Sequence, residues 1–569
     1  MVVCKNDTIV VEVKNHLPAS TTTVHWHGLY MHGPTENDLR RIPKEASDDP
    51  IRISPKASPW ADGVPGVTQC PILPGQTFRY KFVANPAGTH WWHSHAALQR
   101  EDGLYGSLIV REPKEEDVHQ DLYDEDLSAH VLIIQDWVHK SGVDMWLPHH
   151  WDDGSNKATS FLVNGKGKFR NFGVNKFPGL FTPVEEISVK QGKRYRIRVI
   201  NAGVSLCPVE MSIENHNLIV IASDGADIEP ITVDSLVLHN GERYDIIIDT
   251  SNKVKKAYLI KFGGLMDCGA NKIHGAAILK YEGMNDHQEQ SQILSGLKYE
   301  DSINVPGKQL NSINRGQGDP MRIALSDIRS ARKDLLKKAD RTIYLSYNFH
   351  DTSNPIFYDH MYSFDDVIGK NNLRTPMMNN ISLMLPVSPL LSQIDDVDLS
   401  MFCNAENLDP KVHCKDGFCS CYHLYQLNHG EEVDLFLIDE GLPWDVSHPF
   451  HLHGFHFQVL AMERLGATPD YVFGWNGPGN NITRQMVIER DLQGRIPKNY
   501  DSPPSKDTVT VPDAGYTLVR LRATNPGFWL MHCHMSWHNH IGMGVLFKVG
   551  SRSDMPEIPS NFPKCGNFI

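Results

Sequence analysis

The sequence predicts an all-β protein made of three consecutive β-sandwich domains. Residues 8–13, 77–82 and 194–199 alternate apolar with charged side chains, and Gly, Pro or Asn interrupts such segments at intervals of roughly ten residues. This alternation is typical of antiparallel strands that have one face in solvent. At 569 residues the chain is too long for a single core, and its length suggests about three or four domains.

An internal repeat reduces this number to three. Residues 77–86 lead to a His-Ser-His motif at 93–95, and residues 517–526 lead in the same way to a His-Cys-His motif at 532–534. A third copy at residues 193–202 has no His pair. The first and last domains are therefore predicted to be copies of each other, and the middle domain is structural or shapes a substrate pocket.

Domain boundaries are predicted near residues 112 and 285. The predicted domains are residues 1–112, 113–285 and 341–569. Residues 286–340 are polar and indicate a long connector. Helix is expected only in short stretches such as residues 326–336.

Charge and sequence signals restrict the partners and the compartment. The formal net charge of -13 and the pI of about 6.1 argue against a nucleic-acid or anionic-membrane partner, and no segment is apolar over enough residues to span a bilayer. Residues 1–20 lack the apolar core of a signal peptide. Even so, the ten cysteines and the glycosylation sequons at residues 6, 380 and 481 favour a secreted glycoprotein.

Four cysteines crowd into one polar segment, at positions 403, 414, 419 and 421. A zinc knot completed by His413 or His423 is one interpretation, and a pair of disulfides is the other. Secretion favours the disulfides. If Cys533 binds a metal, nine of the ten cysteines remain, so one of them lacks a partner within the chain.

The segment His532-Cys533-His534 is the most informative in the chain. An extended backbone directs the two histidines to one face and the cysteine to the other, so that one strand can serve two metal sites. Cys533 is followed by a His five residues later and a Met ten residues later, which supplies the thiolate, one imidazole and the weak thioether ligand of a blue-copper site. This predicted site consists of Cys533, His448, His538 and Met543.

A second site is predicted from four His-x-His pairs, which together offer eight imidazoles. Because the first and last domains contribute two pairs each, a cluster at their interface is the simplest arrangement. Its members are His25, His27, His93, His95, His451, His453, His532 and His534. Imidazole suits copper, zinc, iron and nickel alike, but the neighbouring thiolate, His and Met favour copper.

In this order the four motifs resemble the copper-binding signature of the multicopper oxidases. Several intervening segments are similar to insect laccases in particular, at residues 62–71, 102–107, 164–167, 241–245 and 525–529. The similarity extends over nearly the whole chain and fails mainly at residues about 31–59. It implies three cupredoxin-like Greek-key domains, and a connector that crosses the middle domain so that the outer domains meet.

The resemblance also implies four copper ions and assigns a role to each candidate ligand. The type 1 ligands correspond to Cys533, His448 and His538, with Met543 as the axial ligand. The type 2 ion is matched by His25 and His451. The type 3 pair is matched by His27, His93, His95, His453, His532 and His534.

Further roles follow from the same resemblance. His538 corresponds to the histidine through which electrons enter, and the Cys533 backbone offers a covalent route to the other coppers. Asp62 matches an acid that supplies protons for the formation of water, although an Asp-Gly pair is also a common turn. Glu210 lies near the segment in which relatives place an acid that accepts the phenol proton, or it is an ordinary strand residue.

The function implied is that of a laccase, which oxidises diphenols or catechols in one-electron steps and reduces O2 to water. A ferroxidase or an ascorbate oxidase is the alternative within the family, and a copper-deficient, non-catalytic product is the alternative outside catalysis. The expected partners are a small phenol and O2, and the protein is expected to be a secreted monomer. Disulfides between Cys70 and Cys565 and between Cys4 and Cys207 are also implied.

Residues about 34–58 are the main departure from the family pattern. They are rich in charge and Pro, which predicts a solvated loop, and they separate His25 and His27 from Asp62. The chain also begins inside the first domain of its relatives, so an edge strand and a signal peptide are expected to be missing. We therefore expect poor copper loading unless the insert is removed.

Expression with and without residues 35–57, behind a supplied signal peptide, tests this expectation. Copper per chain and catechol oxidation are the measurements. Equal copper and equal activity in the two forms would identify the insert as a tolerated surface loop.

Overall fold

The computed structural model describes most of the chain. The described residues are 1–32, 57–150, 157–167, 183–251, 254, 256–283, 294, 297–312, 319, 321–333, 336–350, 375–415, 417–440, 446–465 and 482–565. Residues 33–56 of the predicted insert and the sequon residue 481 lie outside these ranges. Over the described ranges the chain is mostly β-structure and forms three cupredoxin-like domains, which confirms the predicted fold class.

The first domain contains six strands within its described part. They are β1 (Val2–Cys4), β2 (Thr8–Lys14), β3 (Val24–His27), β4 (Thr77–Val83), β5 (Gly88–Ser94) and β6 (Tyr105–Arg111). One sheet has the order β1-β6-β5-β3, and β2 pairs with β4 in the other. Side chains of β4 alternate between exposed and buried, as the sequence pattern predicts.

The second domain is built from longer sheets. Its described strands are β7 (Glu125–Trp137), β8 (Ser160–Val163), β9 (Glu186–Val189), β10 (Arg194–Asn201), β11 (Val209–Ile213), β12 (Leu218–Ser223), β13 (Ala226–Val233), β14 (Ser235–Leu238), β15 (Arg243–Asp249), β16 (Ala257–Gly264), β17 (His274–Tyr281), β18 (Gln309–Leu310) and β19 (Arg322–Ile323). The sheet orders are β13-β12-β15-β10-β7-β8 and β19-β18-β14-β11-β16-β17-β9. Strands β18 and β19 come from the predicted connector and extend the second sheet.

The third domain contains the remaining described strands. They are β20 (Arg341–His350), β21 (Thr375–Met378), β22 (Ser382–Leu383), β23 (Phe402–Cys403), β24 (Cys414–Lys415), β25 (Phe418–Leu427), β26 (Glu432–Asp439), β27 (His448–Leu452), β28 (Phe457–Arg464), β29 (Ser505–Lys506), β30 (Thr508–Val511), β31 (Gly515–Arg522), β32 (Gly527–Cys533) and β33 (Gly544–Val549). The sheet orders are β21-β20-β26-β31-β28-β29 and β22-β25-β33-β32-β27-β30, and β23 and β24 pair with β25.

Helices are few and short. The α-helices of the described part are α1 (Gly142–His150), α2 (Asp267–Ala270), α3 (Pro410–His413), α4 (Arg484–Leu492) and α5 (Ser536–His540). The 3-10 helices are Pro59–Ala61, Tyr299–Asp301, Leu325–Asp327, Ile394–Asp396 and Leu399–Met401. None of the helices in the described ranges is long and apolar enough to cross a membrane.

The helix predicted at residues 326–336 is wrong. Within the described part of this segment only Leu325–Asp327 is helical, as a single 3-10 turn. Ser330 forms a β-bridge to the second domain, and the Arg332 guanidinium forms ion pairs with Asp227 and with an acid of the first domain. These contacts outweigh the weak helix propensity of the local sequence.

The outer domains repeat the same strand pairing at the predicted ligand positions. β3 pairs with β5 so that His25 lies opposite His93, and β27 pairs with β32 so that His451 lies opposite His532. Large buried side chains such as Trp26 fill the opposite side of these strands, and a continuous apolar core includes residues of all three domains. The four His-x-His motifs are therefore held on well-packed strands.

The cysteines form four disulfides, and all ten lie within the described ranges. The predicted bridge between Cys70 and Cys565 is confirmed, with 5.7 Å between the Cα atoms. The predicted bridge between Cys4 and Cys207 is wrong, because Cys207 pairs with Cys268 inside the second domain. Cys4 is exposed and unpaired, so the expectation of one odd thiol besides Cys533 is confirmed.

The crowded cysteines of the third domain are also disulfide-bonded. Cys403 pairs with Cys421, and Cys414 pairs with Cys419. Because all four sulfurs form disulfide bonds, none is available as a thiolate ligand. This segment therefore cannot form the zinc knot that was the alternative interpretation of the sequence. The fold has the disulfide content typical of proteins from oxidising compartments.

Removing the bridge between the first domain and the C-terminal segment is expected to destabilise the fold. The bridge joins residues 495 positions apart, so Cys70→Ser should lower the free energy of unfolding by about 2–5 kcal/mol. The denaturant midpoint of the purified protein measures this. Cys4→Ser is the matched control, since Cys4 is exposed and unpaired. Equal midpoints for the two variants would contradict a stabilising role for the bridge.

Candidate metal centre

The four His-x-His motifs meet at the interface between the first and third domains. β3 and β5 carry two of them, and the ends of β27 and β32 carry the others. His25 Nε2 lies 3.3 Å from His451 Nε2, although the two residues are 426 positions apart. His453 Nε2 lies 3.2 Å from His532 Nε2. We call the eight histidines of these motifs the histidine cluster.

Ligand atoms of the cluster fall into groups of three that lie within 4.8 Å of one another. One group is His27, His93 and His534. A second is His95, His453 and His532. A third contains His25, His27 and His451. A fourth group joins His25 and His453 to Asp62, so the groups overlap and the cluster offers nitrogen donors for more than one metal ion.

Most imidazoles of the cluster have one ring nitrogen engaged. Nδ1 lies 2.8–2.9 Å from a backbone carbonyl oxygen in His25, His93, His451 and His532. In His453 the Nδ1 atom lies 2.9 Å from a carboxylate oxygen of Asp62. Each contact favours the tautomer that carries its proton on Nδ1, which leaves the Nε2 lone pair for a metal ion.

Other ring nitrogens of the cluster have no hydrogen-bond partner among the described residues. These buried atoms are Nε2 of His93, Nε2 of His95 and Nδ1 of His27. Buried polar atoms in proteins are almost always satisfied, so several unpaired nitrogens in one cluster indicate a ligand. Neutral imidazole nitrogen is a good donor to copper and zinc, and the residues present therefore fit a metal centre.

Burial keeps these imidazoles in the form that binds metal. It lowers the pKa of His93, His453 and His532 well below the ordinary histidine value, and neighbouring positive groups lower the pKa further. The three rings are therefore neutral near pH 7. Metal binding requires this neutral form, because a protonated imidazole has no free lone pair.

The second predicted site lies on the other side of the His-Cys-His backbone. Cys533 Sγ is 3.8 Å from His538 Nδ1, and the ring centroids of His448 and His538 are 5.1 Å apart. Met543 is buried, and its carbonyl oxygen accepts a hydrogen bond from the Cys533 N–H at 3.0 Å. We call Cys533, His448, His538 and Met543 the thiolate site.

The thiolate site is buried apart from one edge. Cys533, His448 and Met543 are buried, whereas His538 is partly exposed. Burial raises the pKa of the Cys533 thiol to about 12, so it ionises near neutral pH only when a cation binds against its sulfur. A thiolate, two imidazoles and a weak thioether ligand are the donor set of a blue-copper site, and these residue types are the ones that the thiolate site contains.

Asp62 is more than a turn residue, because it contacts two histidines of the cluster. Its carbonyl oxygen lies 2.8 Å from His25 Nδ1, and its carboxylate reaches His453 as described above. The next residue, Gly63, has a φ of +91°, and a Cβ there would lie 1.9 Å from the Val24 carbonyl oxygen. Glycine thus allows the turn to approach β3 closely, which places Asp62 beside the cluster.

Burial and charge act in opposite directions on Asp62. Burial raises the pKa of its carboxyl group, but His453 and His25 together lower it by more, so the net pKa lies below the ordinary Asp value. Asp62 is therefore an ionised hydrogen-bond acceptor at neutral pH.

Three residues that contact cluster histidines were missed by the sequence analysis. They are Arg100, Asp507 and Thr508, whose hydroxyl lies 3.0 Å from His27 Nε2 and 3.2 Å from His451 Nδ1. Arg100 donates through Nη2 to the His534 carbonyl oxygen at 2.9 Å, and its Nη1 lies 3.0 Å from the ring of His534. Asp507 contacts His27 and His451 from the turn before β30. The only sequence signal for Asp507 was a charge next to a strand whose residues are all buried.

Glu210 does not behave as a free pocket acid. It is buried in β11, and its two carboxylate oxygens accept hydrogen bonds from the backbone N–H groups of Asn304 and Val305 at 2.7 and 3.0 Å. These contacts fasten the segment after the second domain's main strands to β11. The alternative interpretation of Glu210, as a structural strand residue, fits this geometry better.

The fold and the donor atoms together define a metalloprotein of cupredoxin type. Residues 1–43 and 53–115, residues 128–284 and residues 386–553 each match a family profile described as multicopper oxidase. The chain belongs to the multicopper oxidase family. Membership implies copper, and the histidine cluster is consistent with it.

Individual relatives are similar along almost the entire chain. Laccase-2 of Botryotinia fuckeliana is 29% identical over 562 residues, which cover 96% of this chain and 76% of the relative. L-ascorbate oxidase of Cucumis sativus is 27% identical over 595 residues, with coverage of 99% and 85%. These fungal and plant relatives support the family but not an assignment to the insect laccases in particular.

Solved structures support the fold. The laccase from Botrytis aclada superposes with a TM-score of 0.68 at 24% identity, and the alignment covers 98% of this chain and 83% of that one. Fet3p, a multicopper oxidase that functions in iron import, has a TM-score of 0.65 at 21% identity, with coverage of 99% and 87%.

Proposed function

We propose that the protein is a laccase-type oxidase that removes single electrons from diphenols or catechols and reduces O2 to water. The observation that carries this proposal is the juxtaposition of a thiolate site and an eight-histidine cluster on the two faces of one strand, β32. Four copper ions, one at the thiolate site and three at the histidine cluster, would supply the one-electron redox chemistry when bound.

The chain's own residues would provide a substrate contact, an electron route and a proton relay for this chemistry. His538 presents a partly exposed imidazole edge at the thiolate site, with the Phe349 ring centroid 5.2 Å away, and this edge is where a flat phenol would contact the protein. The Cys533 backbone joins the thiolate site covalently to His532 and His534 of the cluster. Asp62 accepts a hydrogen bond from His453, and we assign to its carboxylate the relay of the protons that the formation of water consumes.

Ascorbate oxidase is the second candidate, because an ascorbate oxidase is nearly as similar to this chain as a laccase is. A ferroxidase is the third candidate, since Fet3p shares the fold. Steady-state rates with catechol, ascorbate and Fe(II) on one copper-loaded preparation separate them. The proposal requires the largest kcat/KM for catechol, and a larger value for either other substrate would overturn it.

A non-catalytic product is disfavoured by the intact donor set. Several predicted ligands support this view: Nδ1 of His25 and of His93 is engaged by a backbone carbonyl oxygen, and Nε2 of His93 and of His95 has no hydrogen-bond partner among the described residues. Copper per chain, together with the absorption and EPR spectra, tests this directly. Fewer than four coppers after full reconstitution would contradict the proposed cofactor content.

Secretion, glycosylation and a monomeric state complete the proposal. Four disulfides support an extracellular compartment, and Asn6 of one sequon is exposed. Mass determination before and after glycosidase treatment tests the modification, and light scattering tests the monomer.

Met543→Leu is expected to raise the reduction potential of copper at the thiolate site without loss of copper. The thioether is a weak axial donor that favours Cu(II), so its removal favours Cu(I). Redox titration of the blue absorption measures the change. Met555→Leu is the control, because Met555 is buried in a different apolar cluster. An unchanged potential in Met543→Leu would show that Met543 is not the axial ligand.

A further inference from the structure

The middle domain reaches the histidine cluster although none of the predicted ligands comes from it. Arg243 in β15 is fully buried. Its Nη1 donates to Asp507 Oδ1 at 2.6 Å, and its Nη2 donates to Asp507 Oδ2 at 2.5 Å. Its Nε donates to the Thr89 carbonyl oxygen at 3.0 Å. The bidentate ion pair between Arg243 and Asp507 fixes both the position and the plane of the Asp507 carboxylate.

Asp507 in turn holds two histidines of the cluster. His27 Nε2 lies 3.1 Å from Asp507 Oδ1 and 3.0 Å from the Thr508 hydroxyl. His451 Nδ1 lies 2.9 Å from the Asp507 carbonyl oxygen. One buried aspartate therefore connects the second domain, through Arg243, to predicted ligands of the first and third domains: its carboxylate contacts His27 and its backbone carbonyl oxygen contacts His451.

The consequence is specific for His27. The cluster histidines with an engaged Nδ1 present Nε2 to the cluster, whereas His27 has its Nε2 engaged by Asp507 and by the Thr508 hydroxyl, which itself donates to Asp507 Oδ1 at 2.8 Å, and its Nδ1 is unpaired. Which nitrogen faces the cluster depends on the acceptor that holds the other one. For His27 that acceptor is Asp507, whose orientation is set by Arg243.

The backbone next to His27 is shaped to admit this arginine. Gly28 has a φ of +96°, and a Cβ at this position would lie 2.3 Å from His90 Nδ1 and 2.6 Å from Arg243 Nη2, so glycine leaves room for both side chains. The equivalent glycine of the third domain, Gly454, instead makes room for the indole of Trp529. The two similar His-x-His-Gly motifs thus use their glycines differently, and only the first accommodates an arginine from the middle domain.

We propose that Arg243 is a positioning residue for the metal centre: through Asp507 it holds the ring of His27 in the orientation that leaves its Nδ1 unpaired within the cluster. This inference rests on the proposed copper content of the cluster. It gives the middle domain a direct part in assembling a site whose predicted ligands all come from the outer domains.

The test compares Arg243→Lys with Arg520→Lys. Lysine keeps the positive charge but cannot form the two parallel bonds of a guanidinium. Arg520 of β31 is the matched control, because it forms a buried two-bonded pair with Asp434, at 2.7 and 2.9 Å, and contacts no cluster histidine among the described residues. The measurements are copper per chain against a competing chelator, and the EPR spectrum of the copper outside the thiolate site.

The expected result for Arg243→Lys is copper binding at the histidine cluster that is about 10- to 100-fold weaker, with an altered EPR signal. The blue absorption of the thiolate site should remain, which shows that the third domain is folded. Arg520→Lys should bind copper as the unaltered protein does. Unchanged cluster copper and EPR in Arg243→Lys, or the same loss in both variants, would overturn the inference.

Asp507→Asn decides the question if Arg243→Lys fails to fold. The carboxamide keeps the shape of the side chain but offers only one oxygen, so Arg243 and His27 compete for it. Weakened cluster copper with retained blue absorption would support the inference, and full copper with an unchanged EPR signal would refute it. Failure of the proposed copper content looks different, because the unaltered protein itself would then bind no copper at the cluster. Failure of the proposed substrate appears only in the steady-state rates and leaves the copper measurements unchanged.

Discussion

Cys533→Ser is expected to abolish the intense blue absorption and to stop oxidation of phenols. A hydroxyl cannot replace the soft thiolate whose bond to Cu(II) produces the colour. The activity loss should exceed the roughly 10- to 100-fold effect of removing an outer-shell partner, because a ligand and a covalent link are lost together. Absorption, EPR and catechol oxidation on the reconstituted variant measure these effects.

The histidine cluster provides the internal control for this variant. Its ligands do not include the Cys533 sulfur, so its copper should remain detectable by EPR after the substitution. Ser94 occupies the position of Cys533 in the first domain's copy of the motif, so serine is compatible with this strand geometry. A Cys533→Ser protein that stayed blue would exclude Cys533 as the type 1 ligand.

Two substitutions of Asp62 are expected to distinguish its part in copper binding from its part in proton supply. Asp62→Asn keeps an oxygen that can accept the His453 Nδ1–H bond, so we expect full copper content. It cannot pass a proton as a carboxylate does, and O2 reduction should slow by about 10²- to 10⁴-fold. Asp62→Ala removes the acceptor as well, and copper binding should weaken by about 10- to 100-fold.

Stopped-flow reoxidation of the reduced protein by O2, followed across pH, measures the Asn variant. Copper per chain measures the Ala variant. Reoxidation at the unaltered rate in Asp62→Asn would limit Asp62 to holding His453. Loss of copper in Asp62→Asn would show that the charge itself, rather than the acceptor geometry, maintains the site.

The strands and the ligand residues were predictable because both depend on short-range order. Alternating side chains assigned strands such as β2, β4 and β30 close to their observed bounds. The His-x-His spacing works in the same way, since residues two apart on a strand share a face. The repeat then indicated that the outer domains meet, and the bridge from Cys70 to Cys565 agreed with the family resemblance.

The errors arose where distant contacts decide the outcome. Cys207 was assigned to Cys4, but its neighbour across the second domain is Cys268, 61 residues later. The helix expected at residues 326–336 is replaced by contacts to two other domains. In both places the local pattern was compatible with the prediction, and the packing of separate segments was not.

By itself, the sequence determined the fold class, the family and the identity of the candidate ligands, because spacing along a strand controls the direction of each side chain. Only the tertiary structure decided which histidines share a triad and which nitrogen of each ring is free. His27 illustrates the difference: its neighbours in sequence do not distinguish it from His453, yet its Nε2 lies against Asp507 of the third domain, which in turn accepts hydrogen bonds from Arg243 of the second domain. A ring's tautomer depends on the acceptor beside it, and for His27 that acceptor lies 480 residues away in the sequence.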